Sequence, residues 1–311
     1  VLFIYGNVYD LVSFPVKGEE KEDIRWTESD LPGCLRRFLT GMKYEIIGWA
    51  DPVEDLAFAT PEMEVAFRKI EQGSEESSET TAPTEAAPDQ TAGRAMVSQQ
   101  GNILSRAADK LRGSRPRQVD WDVVVHRIGV GLQNTRVPCA FIVDFASRLT
   151  STPDRLPREE RMLMTRLLKA SLTSREVVRE DGRWNNLLIL LCEKLNDLPA
   201  FLYLNNSRAR SIHVEAPDRD ERSRFINRYY RYFYGAAPSA EGVPQSVEKD
   251  FVDLSEGLTN YEMRSLLSLS IRERIPVIDE PTGVSNMKRL SAMYKYGVTT
   301  SEWDQIDNER L

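Results

Sequence analysis

A chain of 311 residues exceeds one minimal domain and suits a single α/β core with a smaller appendage. Hydrophobic residues make up 41% of it, enough for a sizeable core, yet no apolar run approaches the roughly 20 residues that a bilayer-spanning helix needs. The net charge of −7 has the wrong sign for a nucleic-acid binder, and two histidines with three scattered cysteines exclude multi-histidine metal sites, zinc frameworks and disulfide scaffolds.

Val1 to Tyr5 is a β-branched and aromatic run closed by Gly6-Asn7, which reads as a buried strand and a turn. Leu11 to Val16 is a second short apolar stretch ahead of an acidic loop, Gly18 to Glu22. Ser29 or Asp30 is placed to cap a helix with Pro32 in its first turn, and Leu31, Leu35, Phe38, Leu39 and Met42 follow helical spacing. Tyr44 to Trp49 reads as the next strand. Pro61 to Ile70 reads as a helix with Met63, Phe67 and Ile70 on one side. From Gln72 to Arg117, Ser, Thr, Glu, Ala, Pro and Gln dominate. Such a stretch buries too little apolar area to offset its ordering entropy, so an insertion without fixed structure is expected over residues 72–116.

Trp121 to Leu132 carries Val124, Val125, Ile128 and Leu132 along one helical stripe. Cys139 to Asp144 is an apolar strand ending in a carboxylate, and a helix from Arg158 to Ser171 follows. Leu187 to Cys192 is wholly apolar, which predicts burial on both faces of a parallel sheet. Ile212 to Val214 is a short strand containing His213, read as a structural histidine. Asp218 caps a helix with Phe225, Tyr229 and Phe233 one turn apart. Its arginines (Arg219, Arg222, Arg224, Arg228, Arg231), interleaved with acids, read as a solvated face near a subunit contact. Three further helices are predicted around Val247–Leu254, Tyr261–Leu269 and Met287–Met293. Cys139 and Cys192 lie inside apolar runs, so buried free thiols in a reducing, cytoplasmic setting are expected. No charged-then-apolar leader opens the sequence, and it closes on Glu309-Arg310-Leu311 as if cut from something longer.

Strands alternating with helices predict an α/β fold, a parallel sheet flanked by helices, with a small C-terminal α-helical lid. The expected division is a core over residues 1–234, interrupted at 72–116, then a lid and connector over 235–311.

Val137-Pro138-Cys139-Ala140-Phe141-Ile142-Val143-Asp144 resembles the Walker B strand of AAA+ ATPases, and Leu188 to Asn196 resembles their sensor-1 strand. Asn205 to Ile212, with Arg208 and Arg210, resembles the arginine-finger segment and last core strand. Val214-Glu215-Ala216-Pro217-Asp218 resembles the proline-aspartate entry into the following helix, and Leu258-Thr259 the opening of the helical lid. The resemblance implies an AAA+-like core. It also implies Asp144 as a magnesium ligand, Asn196 (or Glu193) as a sensor, and Arg208 or Arg210 as fingers reaching a neighbouring subunit. Residue by residue, plainer readings stand beside these. Asp144 also reads as a strand-end cap or a partner of Arg148, Asn196 as turn chemistry, and Arg208 and Arg210 as surface ion pairs. Asp51 and Asp55 follow a strand end, and turn formation accounts for them.

The family's glycine-rich phosphate loop should join the first strand and helix. Gly6-Asn7-Val8-Tyr9-Asp10-Leu11 and an acidic stretch stand there instead; Lys17 and Lys21 lack the preceding glycine and the following hydroxyl residue, and no Gly-Lys-Ser or Gly-Lys-Thr occurs anywhere. Where the family's catalytic glutamate follows the Walker B aspartate, this chain has Phe145, which is no general base. Tyr294 to Trp303 resembles a connector between the modules of two-module Clp-type unfoldases. The resemblance therefore implies a non-catalytic, amino-terminal module with no cofactor, or with ATP and magnesium held weakly. Its partners would be AAA+ subunits or modules, as a homo- or hetero-oligomer acting on protein clients, with no membrane or nucleic acid involved. The alternative is an active ATPase with an unusual phosphate-binding loop.

Overall fold

The computed structural model describes residues 1–17, 24–79, 119–236 and 242–276, together with Asn286, Leu290, Met293 and Tyr294. Ten strands and seven α-helices lie within them: β1 (Leu2–Gly6), β2 (Leu11–Lys17), β3 (Ile24–Asp30), α1 (Leu31–Gly41), β4 (Ile46–Ala50), β5 (Ala57–Phe58), α2 (Pro61–Glu79), α3 (Trp121–Gln133), β6 (Cys139–Val143), α4 (Arg158–Thr173), β7 (Glu176–Arg179), β8 (Gly182–Asn185), β9 (Leu187–Cys192), β10 (Arg210–Val214), α5 (Arg219–Tyr229), α6 (Gln245–Leu254) and α7 (Asn260–Glu273). Six strands form one sheet in the order β10-β1-β9-β6-β4-β5. All five predicted core strands belong to it, and the order is not sequential: β1 lies between the last two to be made. β4, β6 and β9 run parallel, whereas the short edge strand β5 is antiparallel to β4.

The chain forms two compact units, Val1–Phe3 with Leu39–Arg210, and Ile4–Phe38 with Ser211–Leu311. In the first, every residue of β6 is buried and only Leu187 of β9 is not, as the unbroken apolar runs require. Phe67, Ile128, Leu132, Phe141 and Met164 are fully buried, and Phe141 meets Phe67 edge-on at 5.7 Å. A β-carbon at Gly131 would come within 2.3 Å of the Phe141 ring, so glycine here is what lets α3 lie against the sheet. Asp120 caps α3 by accepting from the amides of Asp122 and Val123. Burial pushes the thiols of Cys139 and Cys192 up to about 12, which leaves both unreactive at neutral pH.

The second unit has its own apolar core, built from Phe225, Ile226, Phe233, Phe251, Met263 and Leu266, with Phe225 and Phe251 stacked at 5.9 Å. Both helix starts read from the sequence are reciprocal capping boxes, Asp218 with Glu221 and Thr259 with Glu262. The arginines of α5 are not simply a solvated face. Arg222 is buried, donating to the carbonyls of Val252 and Pro217, Arg219 pairs with Asp253, and Arg224 stacks on Trp26 at 4.2 Å.

Three further departures have local causes. Ile24–Asp30, to which no element was assigned from the sequence, is a strand antiparallel to β2, in register from Leu11 opposite Asp30 to Lys17 opposite Ile24, while the expected acidic loop Gly18 to Glu22 lies outside the described residues. A second hairpin, β7 with β8, follows α4. Helix α2 continues to Glu79, past the expected start of the insertion, because Gln72 to Glu79 contains no proline to stop it. The rest of that insertion and nearly all of the Tyr294–Trp303 connector lie outside the described residues.

Candidate functional site

The carboxyl ends of parallel strands carry the first unit's polar residues. Register places Ala50 opposite Val143, so Asp51 and Asp144 leave β4 and β6 side by side, and the Asp144 amide donates to the Ala50 carbonyl at 2.9 Å. Both carboxylates serve the adjoining turns. Asp144 Oδ1 accepts from the Phe145 amide at 2.8 Å, and Asp51 Oδ1 accepts from those of Val53 and Glu54 at 2.7 and 2.8 Å. Phe145 has φ 48° and ψ 35°, left-handed for a bulky residue, and its side chain is 41% exposed. Strain of this kind, of order 1–3 kcal/mol, persists only where surroundings fix the backbone. Its ring offers no proton acceptor.

The loop after β6 is tied to the loop after β9. Arg148 pairs with Glu193 at 2.7 Å, not with Asp144 as the plainer sequence reading has it, and the Thr150 hydroxyl donates to the Asp197 carbonyl at 2.9 Å. The Walker B-like end and the sensor-like turn are thus brought together. Asn196 stands in that turn with its Oδ1 accepting from the Tyr203 hydroxyl at 3.3 Å. Among the described residues, no group of three His, Cys, Asp or Glu side chains is arranged to hold a metal ion.

Arg208 and Arg210 lie elsewhere. The Arg208 guanidinium donates to the Ser174 carbonyl at 2.7 Å, and the Ser174 hydroxyl donates to the Asn186 carbonyl just ahead of β9. Arg208 is therefore anchored at the amino end of β9, about 17–20 Å along a six-residue strand from its carboxyl end. Arg210 donates to the carbonyls of Ser207 and Ala209. Both arginines remain exposed. Beside Arg208's anchor sits Asn186, buried and fully used: its carbonyl oxygen accepts from the Cys139 amide, and its amide group donates to Leu132 and Asn134 carbonyls. Sequence reading did not single it out.

In the second unit, the turn after β1 is tightly held. Gly6 has φ +105°, and a β-carbon there would lie 2.3 Å from the Val214 carbonyl oxygen, so only glycine fits. His213 stacks on Tyr5 at 5.0 Å, half-exposed. Asp10 is 3% exposed. Its Oδ2 accepts from the Asn260 amide at 2.8 Å and from Asn7 Nδ2 at 3.0 Å, and its Oδ1 accepts from the Tyr261 amide at 2.9 Å. Thr259 Oγ1 takes the Glu262 amide at 3.2 Å. The three leading N–H groups of α7 are thereby all satisfied, two of them by a carboxylate from the turn after β1. Asp10 was not a sequence candidate, since nothing local marks a helix cap whose helix lies 250 residues on.

Residues 1–215 match the family described as AAA+ chaperone, N-terminal Rossmann-like domain. The chain belongs to this AAA+ chaperone family. The match takes in β1 to β10, the whole six-stranded sheet, and connects the chain with chaperone-type AAA+ machinery. No curated protein matches the chain. Asp144 follows the end of β6, Asn196 stands in the turn after β9, and no Gly-Lys-Ser or Gly-Lys-Thr occurs in the chain. No helix among the described residues is long and apolar enough to cross a membrane.

Proposed function

We propose that this AAA+ chaperone domain is a non-catalytic module that assembles with, or regulates, an ATP-driven protein-remodelling machine in the cytoplasm. The observation that carries this reading is Asp10. In the segment where backbone amides would have to point at phosphates, a buried carboxylate is committed to capping α7. Phosphate bound beside it would meet like charge, and the chain has no Gly-Lys-Ser or Gly-Lys-Thr to offset it. Asp144 could still offer one oxygen to magnesium, but the chain lacks the Gly-Lys-Ser/Thr hydroxyl that completes the metal's ligand set in phosphate-loop proteins. Phe145 cannot activate water, and lack of a general base removes about 10² to 10⁴ in rate on its own. In this reading residues 235–311 serve as lid and connector, and the exposed Arg208 and Arg210 face a neighbouring subunit.

Purified chain is expected to hydrolyse ATP at background rate with or without magnesium, and Asp144→Ala to leave that rate unchanged. Co-assembled with a catalytically competent AAA+ module, Arg208→Ala or Arg210→Ala is expected to lower the partner's turnover or weaken assembly, read by steady-state phosphate release and sedimentation. Magnesium-dependent turnover by the isolated chain, abolished by Asp144→Ala, would sink the proposal and establish the turn after β1 as a working phosphate site.

A further inference from the structure

The hairpin β2–β3 carries Glu28 opposite Ser13 in register, against α5 and α7 in the same unit. The Glu28 side chain is 7% exposed, while those of Arg228 and Arg264 remain 45% and 41% exposed. Arg228 donates to Glu28 Oε1 at 3.2 Å, whereas the Tyr229 hydroxyl, at 2.8 Å, and Arg264 both donate to Oε2. Arg264 donates to the Tyr229 oxygen as well, at 2.6 Å. Two guanidiniums thus converge on one carboxylate, which leaves a surplus positive charge. Buried Arg264 Nε also has no hydrogen-bond partner among the described residues. A carboxylate has two oxygens, and three donors already use them. A phosphoryl group brings three oxygens and about −1.5 to −2 charges, matching both the surplus charge and the orphaned donor.

We propose that Arg228, Arg264 and the Tyr229 hydroxyl form a binding site for a phosphoryl group, and that Glu28, carried in on the hairpin, is its internal competitor. The hairpin is then a strap: the arginines face solvent, and an incoming anion displaces Glu28. This goes beyond the non-catalytic reading and does not depend on it, because it concerns anion affinity rather than turnover.

The test compares wild-type protein with Glu28→Ala for binding of inorganic tripolyphosphate and of ATP by calorimetry, with chloride matched in ionic strength. Removing the competitor should tighten binding by about tenfold or more, and Arg264→Ala in the Glu28→Ala background should erase the gain. Equal gains for the two anions assign the phosphate chain as sufficient, and a gain for ATP alone assigns a nucleotide. A gain for neither, or one that survives replacement of both arginines, overturns the proposal. Should circular dichroism show Glu28→Ala unfolded, Glu28→Gln keeps the shape without the charge. In wild-type protein, saturating tripolyphosphate should speed amide exchange in residues 11–17 and 24–30, and unchanged exchange there refutes the strap.

Discussion

Phe141→Ala should lower the unfolding free energy by about 3–5 kcal/mol, the cost of truncating a fully buried phenyl ring in a well-packed core. Phe141 is 0% exposed at the middle of β6, with β4 and β9 on either side and Phe67 across its edge. No neighbour can collapse into the space without breaking strand pairing, so the value should fall toward the upper end. The same contact fixes the sign at Gly131. In a typical helix Gly→Ala stabilises by about 1 kcal/mol. At Gly131 the added carbon would sit 2.3 Å from one Phe141 ring atom and 2.9 Å from a Phe67 ring atom, so Gly131→Ala is expected to destabilise by about 1–3 kcal/mol instead. Gly129→Ala is the internal control: its β-carbon would meet Ala170 at an ordinary 3.8 Å. Urea midpoints of the three variants check this, and a Gly131→Ala protein more stable than wild type would contradict the packing described.

Asp10→Ala is the second large effect, expected at about 3–5 kcal/mol. Removing the carboxylate strands three donors, the buried amide of Asn260 and the part-buried amide of Tyr261 and side-chain amide of Asn7. Each unsatisfied buried donor costs about 1–3 kcal/mol, and the favourable charge at the start of α7 is lost as well. Asp10→Asn separates the two contributions, since it keeps one acceptor oxygen and removes the charge; its loss should be smaller. Hydrogen exchange localises the damage. Protection should fall first in α7 and in the turn after β1, while β6 and β9 keep theirs. A uniform loss across the sheet would show that Asp10 supports the whole chain rather than that contact.

The parallel strands β4, β6 and β9 were legible because burial on both faces demands unbroken apolar runs such as Leu187 to Cys192, chain-local chemistry marked the cap at Asp218, and the family resemblance marked Thr259. The hairpins were less so. β3, Ile24-Arg25-Trp26-Thr27-Glu28-Ser29-Asp30, is mostly polar, and what secures it is remote: Arg224 on Trp26, and Arg228 and Arg264 on Glu28. β7 and β8 did carry a local signal, Asp181-Gly182 after Val177-Val178, although the two turn residues are Glu180 and Asp181 and Gly182 opens β8 opposite Arg179. Asp144, Phe145 and Asn196 could be read from their places relative to apolar strands. Their partners could not, because Arg148 chooses Glu193 and Arg208 chooses a backbone carbonyl, and both choices depend on how distant loops meet. Asp10, Asn186 and Glu28 were invisible for the same reason.

That the second unit is sewn from two stretches far apart in sequence has a consequence during synthesis. Glu28 meets Arg264 across 236 positions, and Asp10 meets Tyr261 across 251. At about 5–20 residues per second, the hairpin leaves the ribosome roughly 10–50 s before the helix that receives it has been made. Nearly all of the first unit, an uninterrupted stretch from Leu39 to Arg210, emerges in that interval. The nascent protein therefore carries Trp26 and Glu28 without their arginine partners until α5 and α7 have been made, a window in which a chaperone or an early protease meets a different surface from the finished one.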